Sequence, residues 1–255
     1  MAQLELKNVT VQFGGLRAIS NLSFTIGNGQ VTGLIGPNGA GKTTVFNVLT
    51  GVYQTTAGDV IFNGKSILGE RPYVIFEKGI ARTFQNIRLF SAMTAIENTM
   101  VGRHCRSSVG IVGSLLRTAT QKREEAFIKE KALDALTFMG VGQFADTVAS
   151  NLPYGLQRRL EIARALASEP QILLLDEPAA GMNPSESSEL MMDIARIKDL
   201  GIDVLLVEHD MKVVMGVCDH IICVDHGEKI AEGNSQDIQN NPKVIEAYLG
   251  QPASQ

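Results

Sequence analysis

The segment of eight residues Gly36-Pro37-Asn38-Gly39-Ala40-Gly41-Lys42-Thr43, followed by Thr44, constrains this chain more than any other, because it satisfies G-x-x-x-x-G-K-[ST] in full. It follows a compact apolar run, Val31 to Ile35, and a helical pattern opens at Gly41. Strand, glycine-rich turn and helix is the order in which backbone N–H groups and a helix N-terminus converge on a phosphate. Lys42 can then reach the β- and γ-phosphates, and the Thr43 hydroxyl can ligate Mg²⁺. Residue frequencies alone produce such a pattern in about one chain per hundred. The flanking strand and helix therefore decide the reading against a ligand-free glycine turn.

A phosphate loop needs a second half-site, and Ile172-Leu173-Leu174-Leu175-Asp176-Glu177 supplies one: a buried-strand run ending in acids. Asp176 at the strand's carboxyl end is expected to hold Mg²⁺ through water. Glu177 is expected to face the γ-phosphate and polarise the attacking water. The bland alternative for two acids after a strand is a helix N-cap or a solvated turn. Two half-sites in this order point to a protein that binds Mg²⁺ and ATP.

The rest of the chain fits an α/β protein. At about 150 residues per domain, 255 residues suggest one large domain or two unequal lobes. Leu4, Leu6, Val9 and Val11, then Leu22, Phe24 and Ile26, read as strands. Residues 121–139 place Ile128, Ala132, Ala135 and Met139 on one helical stripe that Gly140 ends, and a second helix runs from near Gly155 to about Ser168. Asn183-Pro184 reads as an N-cap and first-turn pair, Asp203 to Val207 and Ile221 to Val224 as strands, and Asp210 as an N-cap.

Composition removes several function classes. Lys+Arg 23 against Asp+Glu 27 gives a net charge of −4, without the basic footprint of a general nucleic-acid binder. Three cysteines, Cys105, Cys218 and Cys223, are too few for a disulfide framework and fit a reducing compartment as small apolar fillers or surface residues. Cys218, His220, Cys223 and His226 have the look of a metal tetrad. On a strand, however, His220 and Cys223 point to opposite faces, so no zinc site is expected. No apolar run approaches the roughly 18 residues of a membrane span; Val109 to Leu116 is too short. The start, MAQLELKNVT, lacks the basic and apolar regions of a signal peptide, and a cytoplasmic protein is expected.

On these residues the chain resembles the ATP-binding cassette family across nearly its whole length. Arg82-Thr83-Phe84-Gln85-Asn86 stands where that family has its glutamine loop, Leu152-Pro153-Tyr154-Gly155-Leu156-Gln157-Arg158-Arg159 where it has its signature, and Glu208-His209-Asp210 where it has its switch histidine. Ala180-Gly181-Met182-Asn183 occupies the dimer-contacting loop. The resemblance implies a P-loop NTPase (RecA-like) α/β core with an N-terminal antiparallel β subdomain and an inserted α-helical subdomain. Within a single nucleotide-binding domain over 1–255, residues 1–85 and 166–255 form the core and 86–165 the helical subdomain. It also implies that Phe13 stacks on adenine, that Glu177 is the general base of ATP hydrolysis, and that His209 orients the γ-phosphate and water. Gln85 becomes a Mg²⁺ ligand and a relay, and Tyr154 and Gly155 contact the nucleotide of an opposing subunit. Two departures stand out. Pro153 replaces the signature serine and offers neither hydroxyl nor N–H, and Asn183 stands where aspartate is common.

Within the family, Val45-Phe46-Asn47, the tyrosine-containing signature and the ending Asn241-Pro242-Lys243-Val244-Ile245-Glu246-Ala247-Tyr248-Leu249-Gly250 are similar to the ATPase of branched-chain amino acid importers. That implies a peripheral subunit on the cytoplasmic face of the inner membrane. Its partners are two permease subunits, a periplasmic solute-binding protein acting through them, and a second cassette, a sister chain being favoured over a second copy. A lipopolysaccharide-export ATPase, which shares the Tyr-Leu-Gly ending, is one alternative. A soluble cassette protein of translation or DNA repair is another, although those generally fuse two cassettes or insert a long coiled coil.

Overall fold

The computed structural model describes residues 2–106 and 119–249, so the short apolar stretch Val109 to Leu116 lies outside the described residues. The chain divides into two compact units, Met1–Ile75 with Gln171–Gln255, and Phe76–Pro170.

The first unit holds two sheets. β1 (Gln3–Phe13) pairs antiparallel with β2 (Leu16–Gly27) and β4 (Ala57–Phe62), and β5 (Lys65–Ser66) pairs with β4, giving the order β2-β1-β4-β5. Strict alternation would turn Val9 and Val11 away from the face that Leu4 and Leu6 share. A register shift between Leu6 and Val9, at Asn8 with φ 50°, resets the parity, and all four side chains are buried.

In the second sheet of this unit, β9 (His220–Asp225), β3 (Val31–Ile35), β8 (Asp203–Val207) and β7 (Ile172–Asp176) run parallel in that order, with β10 (Glu228–Gly233) antiparallel on β9. Every residue of β3, β7 and β8 is buried. That is why these strands read as apolar runs and not as alternations. The phosphate loop leaves the carboxyl end of β3, with α1 (Lys42–Leu49) after it. In chain order α2 (Pro72–Lys78) and β6 (Ile80–Arg82) follow, and the second unit begins within α2, at Phe76.

The second unit is mainly helical: α3 (Ala95–Arg103), α4 (Ala119–Phe138) and α5 (Tyr154–Leu166). Thr94 and Glu97 start α3 with a reciprocal capping box. The apolar stripe of α4 and its end is Ile128, Ala132, Leu136 and Met139, all buried, whereas Ala135 is only half-buried. The sequence stripe is corrected by one residue here, because Leu136 keeps the i, i+4 step from Ala132.

The C-terminal half completes the first unit. Asn183 caps α6 (Pro184–Asp199), accepting the Glu186 N–H at 3.0 Å, while the Glu186 carboxylate accepts the Asn183 N–H at 2.9 Å. Asp210 caps α7 (Met211–Val217), and α8 (Ser235–Gln239) and α9 (Pro242–Leu249) end the described chain. Cys218 and Cys223 are buried and Cys105 is half-buried. His220 Nε2 lies 2.9 Å from Glu232 Oε1.

Candidate nucleotide site

Gly36 turns the chain out of β3 with φ +152°, and a Cβ there would stand 2.0 Å from the Val224 carbonyl oxygen. Only glycine fits. α1 begins at Lys42 behind Gly41, which is left-handed and brings no side chain to the helix end. The first-turn N–H groups of α1 therefore lack a side-chain cap and present the positive end of the helix dipole.

Lys42 Nζ donates to the Gly36 carbonyl at 2.6 Å and the Pro37 carbonyl at 2.9 Å. Burial lowers the pKa of the ammonium, and the opposing charges of Glu177 and Asp176 pull it back up. A buried cation beside two carboxylates, wrapped in a loop of N–H donors, suits a polyphosphate.

Asp176 ends β7 and is 5% exposed. The next residue, Glu177, has φ +47°, an uncommon conformation for a residue with a side chain, and its N–H donates to the Val207 carbonyl at 2.9 Å. Its Oε1 lies 2.6 Å from His209 Nε2. Glu208, only 4% exposed, fixes the surrounding backbone. Its Oε1 accepts the Ala179 N–H at 2.7 Å and its Oε2 accepts the His209 N–H at 3.1 Å. Burial raises its pKa, countered by the N–H groups of Ala179, His209 and Asp210.

A cavity of about 480 Å³ joins these parts, lined by Phe13, the loop from Asn38 to Thr44, Glu177 and His209. Phe13 is 45% exposed, its ring centroid 5.1 Å from that of Tyr53 in an edge arrangement. One ring face at a cavity rim is the geometry a base can stack on. Gly36, Pro37 and Asp176 are not part of the lining; the first two hold Lys42 from behind, and the third lies near enough to raise its pKa. The Thr43 hydroxyl and the Asp176 carboxylate are hard oxygen donors, the type Mg²⁺ takes.

Gln85, Tyr154 and Gly155 belong to the second unit. There the Arg158 guanidinium donates to the Phe84 and Gln85 carbonyls, both at 2.6 Å, and to Glu161 at 2.8 Å. Pro153 stands at the N-cap of α5 and makes no side-chain capping bond. Tyr154 is 46% exposed.

Sequence reasoning did not single out Leu16, Arg17 and Ala18, weighed His226 only for a metal tetrad, and did not find Glu208 as the holder of His209; the first four residues also line the cavity. None of these stands in a motif whose spacing reveals a phosphate role. Only folding brings β2, the turn after β9 and the end of β8 to one place.

Known proteins can be set beside this geometry. A family model described as ABC transporter matches residues 19–180, and one described as branched-chain amino acid ATP-binding cassette transporter matches residues 228–254. The chain is 45% identical over 249 residues to the high-affinity branched-chain amino acid transport ATP-binding protein BraF of Pseudomonas aeruginosa, covering 97% of this chain and 98% of that one. It is 44% identical to the protein LivG of Escherichia coli, described in the same words, over the same shares. Among solved structures, it is similar to the ADP conformation of an ATP-binding cassette of an ABC transporter, with TM-score 0.85 and 33% identity, covering 98% of this chain and 100% of that one. A dimeric cassette bound to ADP and phosphate in a post-hydrolysis state matches with TM-score 0.76 and 25% identity, covering 91% and 98%.

Proposed function

The chain belongs to the ABC transporter family of ATP-binding, ATP-hydrolysing subunits, and from that premise we propose that it powers the import of branched-chain amino acids. The match of residues 228–254 to the branched-chain model carries the choice of solute class. It lies outside residues 19–180, which the general ABC transporter model matches, and it favours neither lipopolysaccharide export nor a soluble role.

The proposed chemistry uses residues of this chain in stated roles. The loop from Gly36 to Thr44 wraps the phosphates of ATP, and Phe13 stacks on the adenine. Lys42 exchanges its carbonyl partners for phosphate oxygens. Glu177 takes the proton of the attacking water, and His209, 2.6 Å away, holds that carboxylate and the water in line. Thr43 and Asp176 would hold Mg²⁺, which would supply charge neutralisation at the phosphates. Tyr154 and Gly155 serve the nucleotide of the opposing subunit.

No helix among the described residues is long and apolar enough to cross a membrane. In the proposed assembly the chain sits on the cytoplasmic face, docked on permease subunits and paired with a second cassette. The test is uptake of radiolabelled leucine, isoleucine and valine by cells lacking this chain. Uptake should return with the parental chain and not with Glu177→Gln. Normal uptake in its absence would remove the solute assignment.

A further inference from the structure

The far C-terminus reaches the phosphate loop. Tyr248, on α9, places its hydroxyl 2.9 Å from the Gly36 nitrogen, 212 residues away in sequence, and accepts that N–H. The reason is visible in the sheet. The described ladders of β3 stop at Leu34 with Val207 and at Ile35 with Cys223, so the buried N–H of Gly36 has passed the last ladder bond. A buried N–H needs a partner, and leaving it unpaired costs more than the bond itself contributes.

Gly36 is thereby fastened at both ends. Tyr248 accepts its N–H, and Lys42 donates to its carbonyl at 2.6 Å. The hydroxyl is desolvated although the residue is 39% exposed; burial is the first cause that pushes the phenol's pKa up to about 12. The Cys223 thiol nearby is pushed up to about 11, again first by burial. Both groups are therefore neutral at physiological pH, and Tyr248 acts as a fixed dipole beside the loop.

We propose that Tyr248 is a positioning residue for nucleotide binding: its hydroxyl sets the first peptide of the phosphate loop, and through Gly36 the resting place of Lys42. The inference rests on the reading that this loop binds nucleotide. It gives the segment that matches the branched-chain model a direct line to the ATP site. The tyrosine touches no reacting atom; it acts through the loop.

The experiment is calorimetric titration of the whole chain with Mg-ADP, for the parental protein, Tyr248→Phe and the exposed control Lys243→Gln. Removing only the hydroxyl should raise the dissociation constant about threefold to tenfold. The melting temperature without nucleotide should fall by no more than about 3 °C, and kcat at saturating ATP, with partner subunits present, should stay within about twofold. Lys243→Gln should bind as the parent does. Parental affinity in Tyr248→Phe, or a loss in kcat with affinity unchanged, overturns the proposal. No ADP binding by the parental chain overturns the nucleotide reading, and the proposal with it. Should Tyr248→Phe fail to fold, amide exchange on the parental chain decides instead: Gly36 must be protected without nucleotide. Exchange as fast as at Gly39, whose surroundings are open, overturns the contact.

Discussion

Glu177 owes its place to its backbone before its charge. A non-glycine residue at φ +47° is held there by the N–H bond to Val207 and by what its side chain then meets, His209 Nε2 at 2.6 Å. Glu177→Gln keeps the shape and removes the base. With its partner present, the variant should retain ATP affinity and lose about 10²- to 10⁴-fold in turnover, accumulating an ATP-bound closed dimer measurable by gel filtration. Hydrolysis at the parental rate would contradict the assignment. The glycines of the loop separate two physical effects. Gly36→Ala meets the Val224 carbonyl at 2.0 Å and should cost roughly 3 kcal/mol in urea unfolding. Gly39, at φ +83°, has open space around its missing Cβ. Its alanine variant should cost only about 1 kcal/mol, the ordinary left-handed penalty. Equal costs would mean that the loop yields at Gly36.

Among the elements, α5 shows how a polar side chain can anchor a helix. Arg158 is fully buried, and its guanidinium holds the Phe84 and Gln85 carbonyls while pairing with buried Glu161. Glu161 also accepts the Arg88 N–H at 3.1 Å, and burial raises its pKa against the opposing pull of Arg88, Arg158 and Arg164. The helix that follows the signature thus carries the glutamine segment on one guanidinium. Removing one partner leaves a buried charge, so Arg158→Met should destabilise the chain by about 3–5 kcal/mol. Arg158→Met combined with Glu161→Leu should recover part of that loss in the same denaturation series. A double variant weaker by the sum of the singles would show that the pair is not coupled. The sequence placed α5 within a residue or two, yet said nothing of this clamp, because the carbonyls that Arg158 holds lie 74 and 73 residues earlier in the chain.

At the level of the whole molecule, the proposed composite sites are unequal. The chain has a full phosphate loop, Glu177 and His209, but Pro153 sits at the α5 N-cap with no capping bond. Hydrogen bonds to charged groups contribute about 1.5–3 kcal/mol, so a signature without its serine hydroxyl weakens the site it serves. A homodimer would carry that weakness twice; a sister cassette with the serine confines it to one site. ATPase activity should therefore be low for this chain alone and rise when the sister cassette and permeases are added. Full activity alone, unaffected by Pro153→Ser, would favour the homodimer.

What the sequence by itself determined is local or near-local. The phosphate loop, the acids after β7, the caps at Asn183 and Asp210 and the buried strands are each written within a few consecutive residues, where spacing and side-chain chemistry act directly. Tertiary structure decided whatever depends on distant residues meeting. It resets β1 at Asn8 and places Leu136 and not Ala135 in the core. It sets Glu208 to accept the Ala179 N–H across 29 positions, and brings Tyr248 across 212 positions to Gly36. Hydrogen-bond partners for buried N–H groups are found wherever the packed chain offers an acceptor, and no periodicity along the sequence encodes that choice.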